Sequence, residues 1–166
     1  ASSPNRWTGI PGPPLPGGRL REDAVAVTTP SRILGIDYGA RRIGIAVTDP
    51  LRIIAKGIAV LENTPTVIAE LRRVIEEYGV TEIVVGMPYT LKGEIGPKAQ
   101  EVERFIKRLE GELHLRVERF DERFTSRTAQ ETMIAMGVGR KKRRIKGNID
   151  MMAAALILQG YLESLP

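Results

Sequence analysis

The sequence predicts a single α/β domain on one mixed five-stranded sheet, three antiparallel strands followed by parallel ones, with helices on both faces. Three observations lead there. Between residues 31 and 61 three apolar runs follow one another with only tight turns between them, and strands joined that closely pair antiparallel. From about Thr64 the apolar residues change to helical spacing and helices alternate with strands, the pattern of right-handed crossovers between parallel strands. The length of 166 residues suits one domain, with no internal repeat.

Each element has its own signal. Residues 31 to 37 form a buried strand, Tyr38-Gly39-Ala40-Arg41-Arg42 a tight polar turn, and Ile43 to Thr48 the returning strand of a hairpin. Asp49-Pro50 marks the next turn, and residues 52 to 61 supply a third strand. Val67, Ile68, Leu71, Val74, Ile75 and Tyr78 line one face of a helix that Gly79 terminates. Glu82 to Gly86 is a short strand. Val102, Phe105, Ile106 and Leu109 define a second helix closing near Gly111, and Leu115 to Phe120 a fifth strand. Thr125 or Ser126 caps a third helix to about Met136. The last helix, about Asn148 to Leu162, is apolar on most faces and should be buried.

The first 30 residues differ from the rest. Residues 4 to 18 hold five prolines and four glycines, with only Trp7, Ile10 and Leu15 as apolar bulk. Such a stretch buries too little surface to offset its ordering entropy, so residues 1–30 read as a disordered tail and residues 31–166 as the domain. The tail lacks the apolar core of a secretion signal, and no run is long enough to span a bilayer.

Composition excludes several chemistries. With no cysteine, disulfides, thiolate metal sites and a cysteine nucleophile are ruled out. One histidine, His114, rules out a multi-histidine zinc site within one chain and reads as a surface residue. The net charge is +5, yet Arg140, Lys141, Lys142, Arg143, Arg144 and Lys146 alone supply six positive charges within seven residues. The remainder is nearly neutral. A block of this kind just ahead of Asp150 points to a polyanion, here nucleic acid.

Three carboxylates then stand out. Asp37 closes the first strand between Gly35 and Gly39, Glu122 follows the fifth strand, and Asp150 opens the last helix. Each has an ordinary explanation: a turn former, a solvated turn acid, a helix N-terminal acid. Together, at the edge of one core, they are costly unless they hold something positive. Hard divalent cations prefer oxygen clusters of this kind, and a pair of such ions can drive in-line phosphodiester hydrolysis. Asp121 and Glu122, being adjacent on an extended segment, should point to opposite sides, one to the site and the other to a helix cap or Arg123. Asp49 or Asp121 could assist.

The chain resembles the YqgF family, also called RuvX, of Holliday-junction-resolvase-like nucleases. The resemblance rests on Gly35-Ile36-Asp37-Tyr38-Gly39 with Arg42 to Asp49, on Val85-Gly86-Met87-Pro88 with Gly93, on Asp121-Glu122-Arg123-Phe124-Thr125-Ser126, and on Asp150 with Ala153, Ala154, Ile157, Leu158, Tyr161 and Leu162. It implies a ribonuclease-H-like fold, catalytic acids at Asp37, Glu122 and Asp150, and a cytoplasmic bacterial role in maturing the 5′ end of 16S rRNA. Related resolvases carry a fourth acid one helical turn after the last; here Ala153 stands there, so the metals should be held weakly.

The expectation is therefore an endonuclease using Mg²⁺ or Mn²⁺, two ions held by Asp37, Glu122 and Asp150. Arg41, Arg42, Arg123 and the basic segment Arg140, Lys141, Lys142, Arg143, Arg144 and Lys146 would contact nucleic acid. Its partner is structured RNA or branched DNA, and it acts as monomer or homodimer without a membrane. The alternatives are a junction resolvase working as a dimer on four-way DNA and a non-catalytic nucleic-acid-binding module. A small nucleotide-binding ATPase domain is a third, disfavoured because the chain is too short for the two lobes such enzymes use.

Overall fold

A computed structural model describes residues 31–125, 131 and 146–166. The expected tail, the expected helix from Ser126 to Met136 and residues 140 to 145 of the basic segment lie outside the described residues, as do the side chains of 146 to 148.

The chain runs β1 (Arg32–Tyr38), β2 (Arg42–Thr48), β3 (Ala55–Glu62), α1 (Val67–Tyr78), β4 (Val80–Met87), α2 (Pro97–Leu113), β5 (Arg116–Asp121), a 3-10 turn (Glu122–Phe124) and α3 (Lys146–Ser164). The sheet order is β3-β2-β1-β4-β5. β1 pairs antiparallel with β2, and β2 with β3. β4 lies parallel to β1, and β5 parallel to β4. This is the mixed sheet the sequence predicts. Central β1 places Asp37 opposite Gly44 at the end where β4 and β5 also finish, so one sheet edge collects the residues after three strands.

Alternation along each strand divides the residues between two cores. Leu34, Ile36, Ile43, Ile45, Ile83 and Val85 point to α1 and α2, where Leu71, Phe105 and Ile106 meet them. Ile33, Ala46, Val84 and Phe120 point to α3 and its Ala154, Ala155, Ile157 and Leu158. The second face has a floor of glycine. A Cβ on Gly35 would come within 2.7 Å of Leu158, on Gly57 within 2.9 Å of Met151, and on Gly44 within 2.0 Å of the Asp150 carbonyl oxygen. The helix therefore lies almost on the backbone of β1, β2 and β3. Gln159, buried on α3, fastens it: its Oε1 accepts from the Ala55 amide at 2.9 Å and its Nε2 donates to the Ile53 carbonyl at 3.3 Å. That satisfies a polar group which burial would otherwise penalise.

Helix ends differ from expectation in two places. Gly79 ends α1 in the left-handed conformation, as predicted (φ 67°). Gly111, however, does not close α2, which runs on to Leu113 and ends on His114 in the left-handed region (φ 54°). Gly111 faces open space, while Leu113 still packs against the core and carries the helix past the glycine. α3 begins at Lys146, so Asp150 lies in its second turn rather than at its opening. Stabilisation of a helix end therefore does not account for that acid.

Candidate active site

Asp37, Tyr38, Gly39, Ala40, Pro88, Lys98, Glu101, Val102 and Glu122 enclose a cleft of about 300 Å³ at the edge where β1, β4 and β5 end. Two of the three acids singled out from the sequence thus share one hollow. Asp37 arrives on the α3 face of β1 by alternation from Ile33 and Gly35. Its carboxylate takes no hydrogen bond from any described residue. Burial, then the negative charges of Glu122 and Asp150, push its pKa from 3.8 up to about 7.

Glu122 opens the 3-10 turn and lies over Gly86, where a Cβ would stand 2.7 Å from its Oε1. Burial and the neighbouring Asp121 raise its pKa, while Lys98 pulls it down. Asp121 and Glu122 do diverge. Asp121 caps the 3-10 turn by accepting the Arg123 amide at 2.9 Å, and it grips the Arg123 guanidinium. That hydrogen bond holds its carboxyl below the usual range. Asp121 is therefore spent on structure.

Asp150 comes from α3, across the sheet edge. Its Oδ2 accepts from Arg42 Nε at 2.8 Å, an ion pair of two partly exposed side chains. Gly44, beside Arg42 on β2, is what allows α3 to sit close enough for this contact. Asp150 does not line the cleft, and among the described residues no three acidic side chains converge as a ready cation cage.

The suggested helpers and cations fare unevenly. Asp49 lies at the other end of the sheet, past the Thr48–Ala55 pair, where it accepts from the Leu51, Ile53 and Ile54 amides and shapes the β2–β3 loop. Arg123 is tied to Asp121 and to the Leu91 carbonyl at 3.3 Å, and its guanidinium lies 5.7 Å from the centre of the Phe124 ring. It holds the β4–α2 loop against the 3-10 turn instead of standing free for a phosphate. Arg42 is engaged by Asp150. Arg41 is exposed at the hairpin tip, whose backbone is braced by Asn63 through the Arg41 and Gly39 carbonyls at 2.9 Å.

The model of the family described as RuvX, Holliday junction resolvase, matches residues 31–164. This chain belongs to the RuvX family. A relative from Geobacillus kaustophilus is 44% identical over 137 residues, covering 80% of this chain and 98% of the relative. Another, from Ruminiclostridium cellulolyticum, is 40% identical over 135 residues, covering 80% and 94%. Both bear the name "Putative pre-16S rRNA nuclease". Among solved structures, Thermus thermophilus RuvC in complex with a Holliday junction substrate superposes with a TM-score of 0.52 at 17% identity, over 80% of this chain and 95% of that one. That likeness concerns the fold, which is ribonuclease-H-like in both.

One site residue of this RuvX chain escapes sequence reading. Lys98 lies in the first turn of α2 and faces Glu122 across the cleft. Cations are disfavoured at a helix N-terminus, and the first turn of α2 holds no acid to offset it. A lysine placed against the helix dipole was the available signal.

Proposed function

We propose that this RuvX-family chain is a divalent-metal-dependent endonuclease that cuts structured RNA in the cytoplasm, its substrate the 5′ end of the 16S rRNA precursor. The observation that carries the proposal is the pair of half-buried carboxylates, Asp37 and Glu122, with no side-chain hydrogen-bond partner among the described residues, in one cleft near Asp150. Burial first, and then repulsion from Glu122 and Asp150, favours a proton on Asp37, and a bound cation would offset both. The donors are all carboxylate oxygens, which suits Mg²⁺ or Mn²⁺ and not a soft metal. The names of the relatives supply the substrate.

Asp37 and Glu122 would hold the ion, with Asp150 as the third ligand. A divalent cation bound there supplies a water of lowered pKa and stabilises the charge on the leaving oxygen. A cation held there would require Asp37 in its ionised form, so affinity would rise as pH passes through about 7. Lys98 offsets phosphate charge at the opposite wall. Beyond Tyr38 and Glu101 the cleft adjoins an open groove of about 410 Å³ lined by Arg104 and Arg108, a path for the flanking strand. Arg41 and the basic segment from Arg140 to Lys146 add sequence-independent grip, giving a steep salt dependence.

The family description favours a second substrate, four-way DNA. The test is a cleavage assay with Mg²⁺ or Mn²⁺ on a labelled 16S precursor 5′ leader and on a four-way DNA junction, with EDTA as control and Asp37→Asn alongside. Cutting of the leader by wild type alone, abolished by EDTA, is expected. Cutting of the junction alone transfers the activity to DNA. Binding of both without cutting replaces the enzyme by a binding module.

A further inference from the structure

Arg42 was expected to face nucleic acid, and its surroundings assign it other work. Its Nε donates to Asp150 Oδ2 at 2.8 Å, joining residues 108 apart in the chain. The pair is partly sheltered, the Arg42 side chain 40% and the Asp150 side chain 23% exposed. Asp37 and Glu122, by contrast, make no ion pair with any described residue, Lys98 facing Glu122 across the cleft, and Asp150 is absent from the cleft wall. Two acids are thus open to an incoming cation, and the third is held by an internal one.

We propose that Arg42 is a latch on Asp150: its guanidinium occupies the carboxylate while no divalent ion is bound, and the ion must take Asp150 from it to complete the site. The inference rests on Asp150 being a ligand, as in the proposed function. Two physical points support it. An ion pair this exposed is weak, on the order of 1 kcal/mol or less, so a divalent ion with Asp37 and Glu122 already in hand can outcompete it. Arg42 is also placed to let go, because it starts β2 directly after the exposed turn at Ala40 and Arg41 while Asp150 is fixed by a helix packed onto glycine. The guanidinium can swing away while α3 holds the Asp150 backbone in place, leaving the carboxylate free to turn toward the ion. The latch keeps the unloaded site from gathering three bare carboxylates, and it weakens ion binding by the work of opening it.

The test is calorimetric titration with Mn²⁺ in the absence of nucleic acid. Arg42→Gln should bind Mn²⁺ about fivefold more tightly than wild type, the scale of the ion pair that no longer competes. Arg42→Lys, which keeps the charge, should remain near wild type. Arg41→Gln loses the same charge one residue away without touching Asp150, and should shift affinity by less than about twofold. In an Asp150→Asn background, Arg42→Gln should have no effect. Weaker or unchanged binding by Arg42→Gln overturns the latch, and weaker binding would make Arg42 a support that orients Asp150 for the ion. A gain equal to that of Arg41→Gln overturns it too, reducing the effect to general electrostatics. No binding by any variant also overturns it. The proposed nuclease is judged separately, by cleavage: a failed latch with intact metal-dependent cutting leaves the function standing.

Discussion

The two faces of the sheet are built on opposite principles. Toward α1 and α2 the strands present Leu34, Ile36, Ile43, Ile45, Ile83 and Val85, bulky side chains that hold the helices at a distance and fill the gap. Toward α3 they present Gly35, Gly44, Gly57 and Gly86, which draw backbone and acids inward. The first face is thick, and a change in one of its members is felt as lost stability. The second is thin, and the position of Asp150 and Glu122 depends on what is missing from the strands beneath them. Asp150 and Glu122 rest on that floor, while α2 supplies Lys98, Glu101 and Val102 to the cleft wall, so packing and the placement of these two acids are coupled on the glycine face.

That contrast predicts different outcomes for substitutions on each face. Leu71→Ala, in the fully buried layer under α1, should cost about 4 kcal/mol in urea unfolding. Its cleavage rate per folded molecule should stay within about twofold of wild type. A collapse in rate at full folding would mean that the thick face also sets site geometry. Gly44→Ala puts a methyl group where the Asp150 carbonyl oxygen stands, 2.0 Å away. It should cost about 3 kcal/mol and slow cleavage about a hundredfold as Asp150 is lifted. A stability loss with normal turnover would erase the distinction between the faces.

The third prediction concerns charge rather than packing. Folded Asp37 keeps its proton up to about pH 7, whereas the unfolded chain loses it near 3.8. Between those values the folded state binds more protons, so wild type loses stability as pH rises through that window and does not regain it above. Asp37→Asn avoids the loss. In EDTA it should exceed wild type by on the order of 2 kcal/mol above neutrality, with the gap closing toward about pH 4. Equal stability across the range would mean that burial and the neighbouring acids do not hold a proton on Asp37.

The strands and their order were legible because the signals were local: apolar runs bounded by Gly, Pro and Asp, then a change of period after Thr64. Asp37 and Glu122 were legible for the same reason, each sitting at a strand end. Pairings made across the fold were not. Nothing near Arg42 in the chain announces Asp150, and so it read as a free cation. Asp49 looked like a spare ligand because an acid after a strand carries no label for which end of the sheet it reaches. His114 ends α2 because Leu113 still finds the core, a tertiary contact that overrode the glycine at 111.

The glycine floor also sets the moment at which the protein becomes itself. Asp37 and Glu122 precede Asp150 in the chain, and without α3 the strip of Ile33, Ala46, Val84 and Phe120 has no cover. A chain without α3 would hold two of the three proposed ligands and an uncovered apolar face. α3 both covers that face of the sheet and carries Asp150, so closing the fold and completing the proposed site are a single step.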